Sequence, residues 1–156
     1  MIIRLLEDKD RRQVKDIMAS HPLQFPEFII DKYPLRWSDF LEIKDHKNCG
    51  YYVAHSDIIL GHAGYIIDAE TGFYEIVGVA VHKECQRKGI GKSLLDTICN
   101  QVHLIGGKQV ILHTLGHIGN EKTLLFYQSI GYEQVNFEKD FFKSDYHRVT
   151  FVKKWG

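Results

Sequence analysis

Short apolar runs with a two-residue period alternate along this chain with stretches whose apolar positions recur every three or four residues. The chain opens with a strand pattern over residues 2–6, and Asp8 is placed to cap a helix whose inner face carries Val14, Ile17 and Met18. Residues 21–34 hold all three prolines together with Phe25, Phe28 and Tyr33, which predicts irregular or briefly helical chain. A second helix over 35–43 would turn Trp37, Phe40 and Leu41 inward. Residues 51–55 and 58–67 read as a hairpin turning at Ser56 and Asp57, with Gly61 and Gly64 weakening the second strand or marking bulges. After a turn at residues 70–72 an apolar strand begins at Tyr74. A polar connection leads from it into a helix over 91–105, with Leu94, Leu95, Ile98, Val102 and Ile105 on one side and Gly106-Gly107 at its end. A buried strand over 109–114, a helix over 120–130 that stops at Gly131, and strands over 132–138 and 146–153 complete the pattern.

This order predicts an α/β fold: a mixed, mostly antiparallel sheet of six to seven strands flanked by helices on both faces. At 156 residues the chain is expected to form one domain, residues 1–156, with a core of its own. Twenty basic and twenty acidic residues leave no net charge, so the balance points neither to nucleic acid nor to a membrane surface. Cys49, Cys85 and Cys99 are an odd number without metal-type spacing, which argues for free thiols in a reducing, cytoplasmic setting. The first residues resemble a strand rather than a signal peptide, and no apolar run would span a bilayer.

Chemistry concentrates where the strand from Tyr74 passes into the helix. Gln86-Arg87-Lys88-Gly89-Ile90-Gly91-Lys92-Ser93 puts two glycines and three cations at a helix N-terminus, where unpaired N–H groups and the macrodipole favour an anion. A glycine-softened turn with solvated basic residues accounts for the same composition about as well. A P-loop would need glycine where Gln86 stands, and a dinucleotide fingerprint would need glycine or alanine at Leu94. The pattern that fits throughout, Gln/Arg-x-x-Gly-x-Gly/Ala, resembles the coenzyme A pyrophosphate loop of the GNAT N-acetyltransferases. Val79-Ala80-Val81-His82 is similar to the end of that family's fourth strand. The topology is similar over nearly the whole chain, and the motifs match from about residue 74 to 132.

The resemblance implies acetyl-CoA as co-substrate, held by Gln86, Arg87, Lys88, Gly89, Ile90, Gly91, Lys92 and Ser93 together with Val79, Ala80 and Val81, of which Val79 and Val81 would use main-chain groups. It also implies transfer to a primary amine of a small molecule or peptide in a ternary complex, with no metal. Alternation places Glu75 on one face with Val77, Val79 and Val81, where a carboxylate is costly unless it is hydrogen-bonded or lines a cleft; a solvated strand end is the alternative. Similarity to the strand of histone-acetylating GNAT enzymes implies that Glu75 is the general base, acting through water. Gly78 inside that strand marks a bulge or a close backbone approach. In the family this splay aims an N–H at the thioester carbonyl.

Phe126-Tyr127, followed by Gly131-Tyr132, resembles the family's helix ending, which implies Tyr127 as the acid for the departing sulfur; aromatics at helical spacing are otherwise more often core. Asn120, two turns earlier, is either a helix cap or, by resemblance, a cofactor contact. His113 and His117 lack a third ligand, and Cys85 lacks an evident base. The acceptor side would come from residues 21–37 and the loop 138–147, whose aromatics could equally be core or part of a homodimer interface. A non-catalytic acyl-CoA-binding or sensor domain of the same fold is the nearest alternative, and a degenerate nucleotide-binding domain is more distant.

Overall fold

Seven strands join in one sheet in the computed structural model, which describes residues 1–155. They are β1 (Ile2–Leu5), β2 (Gly50–His55), β3 (Ile59–Ile67), β4 (Tyr74–Val81), β5 (Gln109–Gly116), β6 (Glu133–Lys143) and β7 (Tyr146–Lys154), in the spatial order β1-β2-β3-β4-β5-β7-β6. All neighbours are antiparallel except β4 and β5. Helices α1 (Arg11–Ala19), α2 (Glu27–Ile30) and α3 (Tyr33–Ile43) cover one face of β2, β3 and β4, here the front, through Val14, Met18, Trp37 and Phe40. Helices α4 (Ile90–Leu104) and α5 (Glu121–Ser129) cover the back, so helices flank both faces as expected. Among the described residues no helix is long and apolar enough to cross a membrane.

Helix α4 shows why the periodic segments fold as read. Leu94, Leu95, Ile98 and Val102 fall on one stripe and are buried, each contributing on the order of 1.5–3 kcal/mol. The helix ends because Gly106 turns left-handed at φ 98°. Leu94→Ala would leave a cavity in the middle of this stripe and cost about 2–5 kcal/mol.

Three local expectations are corrected. Asp8 does not cap α1; it begins a single 3-10 turn over Asp8–Asp10, and the buried Asp10 accepts from the Glu7 N–H and from both arms of Arg4 at 2.7 and 2.9 Å. A carboxylate gains more from a guanidinium fork than from a cap alone. Residues 138–147 are not an open loop: β6 runs to Lys143 and returns as β7 from Tyr146, since pairing with β7 satisfies a backbone that side-chain pattern left ambiguous.

The third correction concerns β4. Its register with β3 slips between His62 and Gly64, where Gly78, at φ 67°, forms a bulge. One extra residue reverses the alternation. Val79 and Val81 therefore pack on the back with Tyr74 and Ile76, and Glu75 shares the front with Val77 and Ala80, not with Val79 and Val81.

Candidate active site

Strands β4 and β5 pair at only two positions, Tyr74 with Val110 and Glu75 with Ile111, and then diverge. The fork opens into a cleft of about 530 Å³ on the back, between α4 and α5. The His82 N–H donates to the Leu60 carbonyl at 2.8 Å, and Ala80 lies opposite His62. By antiparallel alternation, the backbone groups of Val79 and Val81 consequently face away from β3, towards the fork.

At the far end of β4 the chain turns onto α4. Arg87 (φ 65°) and Gly89 (φ 80°) are both left-handed, which curls successive N–H groups into a concavity that suits an anion. The Ser93 N–H is already donated to the Gly89 carbonyl at 3.0 Å, so the free donors of the first turn belong to Ile90, Gly91 and Lys92. Gln86, Arg87, Gly89, Ile90, Gly91 and Lys92 line the cleft; Lys88 and Ser93 do not. Lys92 also holds Asp96 at 2.8 Å across one helical turn.

Tyr127 reaches the cleft from α5. Its ring is buried against Phe126, Tyr132 and Phe151, and burial pushes its hydroxyl well above the usual phenol range, so it stays protonated. Among the described residues the hydroxyl has no hydrogen-bond partner.

Asn120 sits at the start of α5 but neither caps the helix nor lines the cleft. Its amide donates to the Leu115 carbonyl at 2.7 Å and accepts from Gln24 Nε2 at 2.8 Å. A buried amide must satisfy both ends, and protein groups already do so. Gln24 also reaches Thr123 Oγ1 at 2.8 Å, and Gln24 and Thr123 are themselves cleft residues. Asn120 thus ties the segment after α1 to α5 from one layer behind.

His21 is a cleft residue that local sequence gave no reason to select. Its Nε2 lies 2.7 Å from the Val81 carbonyl and donates to it, leaving that residue's N–H as its free backbone group towards the fork. Cys85, Lys122, Leu125 and Phe126 complete the wall.

On the front, Glu75 occupies the last paired position before the fork opens. Cross-strand partners share a face, so Ile111, His113, Thr150 and Arg148 continue the same strip across β5 and β7. His113 Nδ1 is 2.8 Å from Thr150 Oγ1, and Arg148 pairs with Glu138 at 2.7 Å. Burial, with Asp68 adding to it, raises the Glu75 carboxyl above the usual range against the opposing pull of Arg36, Arg148 and Lys32. Of the aromatics expected on the acceptor side, Phe25, Tyr33 and Trp37 are core, whereas Phe28, Phe141 and Phe142 are exposed.

The sheet thus forks beside the β4–β5 parallel pair, with a glycine bulge and a helix N-terminus on the same cleft. Residues 47–134, more than half of the chain, match the model of the acetyltransferase (GNAT) domain, and the chain belongs to that family. It is 28% identical over 156 residues to an uncharacterized N-acetyltransferase of Methanocaldococcus jannaschii, covering 99% of this chain and 92% of the relative. A GNAT-family crystal structure from Desulfovibrio desulfuricans superposes with a TM-score of 0.87 at 22% identity over 98% of both chains. The acetyl-CoA-bound structure of yncA from Salmonella typhimurium superposes at 0.78, with 17% identity over 99% of this chain and 93% of that one.

Proposed function

We propose that this protein transfers acetyl from acetyl-CoA to a primary amine, on a small molecule or a peptide, by direct attack in a ternary complex. The observation that carries the reading is the fork: Val79, the α4 N-terminus and Tyr127 meet in one cleft, and Glu75 stands at its apex on the other face. The α4 N–H groups and Arg87 would hold the pyrophosphate, and the Val79 and Val81 backbone the pantetheine arm.

An attacking amine must lose its proton: a lysine-like amine has a pKa of about 10.4 and an α-amino group about 7.7–8.0. Glu75 accepts that proton through water as the nitrogen bonds to the acetyl carbon. The Val79 N–H stabilises the negative charge that gathers on the carbonyl oxygen. As the carbon–sulfur bond breaks, Tyr127 donates its proton to the sulfur and recovers one from solvent. The raised Glu75 carboxyl suits a base, since it binds a proton more firmly than an exposed carboxylate would.

Calorimetric titration with acetyl-CoA, CoA and ATP is the first test: both CoA species should bind saturably and ATP should not. Absence of acetyl-CoA binding would end the proposal. With an acceptor taken from an amine panel, Glu75→Gln and Tyr127→Phe should each lower kcat about a hundredfold while CoA still binds. The wild-type rate should fall on acidification as Glu75 becomes protonated. Unchanged turnover in either variant would remove that residue from its assigned role, and binding without turnover on any amine would leave an acyl-CoA sensor.

A further inference from the structure

The Gly78 carbonyl, at the turning point of the bulge, is held from the front of the sheet. His62 of β3 is completely buried, with Nδ1 2.8 Å from that oxygen and Nε2 3.1 Å from the Trp37 indole nitrogen. An indole N–H can only donate, so His62 Nε2 accepts, the proton sits on Nδ1, and Nδ1–H donates to Gly78. Tyr33, Trp37 and Tyr51 surround the imidazole with ring centroids at 6.0, 5.6 and 5.8 Å, and a Cβ on residue 78 would lie 2.9 Å from His62. A histidine is an expensive choice for such a place, because both nitrogens must be satisfied where an aliphatic side chain would need nothing. What the imidazole adds is the bond to Gly78.

That bond sets a direction. The peptide unit joining Gly78 to Val79 is planar and trans, so its carbonyl and its N–H point opposite ways. Fixing the carbonyl towards Trp37 on the front sends the Val79 N–H towards the cleft that Val79 lines. We propose that His62, locked by Trp37, is a positioning residue that aims the Val79 N–H at the acetyl carbonyl of the bound thioester. This rests on acetyl-CoA occupying the cleft, as argued above.

Free CoA has no acetyl carbonyl and therefore serves as the internal control. His62→Phe keeps a ring and loses both hydrogen bonds; His62→Asn keeps an N–H donor close to the Nδ1 position. By calorimetry, His62→Phe should weaken acetyl-CoA about fivefold, the worth of one hydrogen bond, and leave CoA within about twofold. His62→Asn should retain most of the wild-type ratio of the two affinities. In the wild type, which carries no folding risk, the ¹⁵N–¹H resonance of Val79 should move further with acetyl-CoA than with CoA. If His62→Phe changes both affinities equally or neither, or if the Val79 amide responds alike to both ligands, His62 is a core residue only and the proposal is overturned. If the wild type binds neither ligand, it is the transferase reading that has failed, and this proposal falls with it.

Discussion

His62 shows how much one side chain can depend on a fold. Burial pushes its imidazole pKa down to about 4, so it is neutral in the native state and accepts a proton only near that pH, whereas in the unfolded chain it titrates near 6.5. Between these values the unfolded chain binds a proton that the folded chain refuses, so stability falls as the pH falls. The loss amounts to about 2 kcal/mol between pH 7 and pH 5. His113, also lowered, chiefly by burial, acts in the same direction. Urea unfolding at the two pH values should show this loss, and His62→Asn should reduce it; coincident wild-type curves would mean that His62 is charged in the fold. Nothing local in the sequence singled out His62, because its partners lie 25 and 16 residues away. Asn120 teaches the converse: its identity was legible at a helix start, but its direction was set by Gln24, from 96 residues earlier.

At the scale of elements, the turn from β4 onto α4 was the most legible part of the chain. Its glycines and cations are contiguous, and the physics of a helix N-terminus needs few distant residues. The same locality makes it easy to test. Arg87 is exposed and left-handed, a conformation that glycine adopts without strain. Arg87→Gly should therefore raise stability by about 0.5–1 kcal/mol in denaturant unfolding. The same variant should bind acetyl-CoA more weakly, with a flatter dependence of affinity on salt, because one screened cation is gone. Weaker stability together with unchanged affinity would mean that Arg87 serves the loop rather than the ligand. Strand ends were less legible: β5 continues to Gly116 and β6 to Lys143, because a ladder extends as far as its neighbour offers hydrogen bonds.

Across the whole molecule the sheet separates two cores, and stability is distributed accordingly. β3 is paired on both sides for much of its length and, like β4, packed on both faces, whereas β6 is an edge strand in which every residue except Glu138 is exposed. Hydrogen exchange followed by mass spectrometry should find β6 the fastest of the strands beyond β1 and β3 among the slowest. Protection of β6 comparable to that of β3 would point to a partner covering the edge. The sequence by itself determined the family, the element order and the anion-binding turn, because amphipathic periods and contiguous motifs are properties of neighbouring residues. Only the tertiary structure decided which face Glu75 presents, how far β4 and β5 part, and which backbone N–H meets the cleft. A single bulge at Gly78 reverses every side chain beyond it; the glycine itself was legible, but the register slip against β3 and the His62 bond to its carbonyl join residues far apart in the chain.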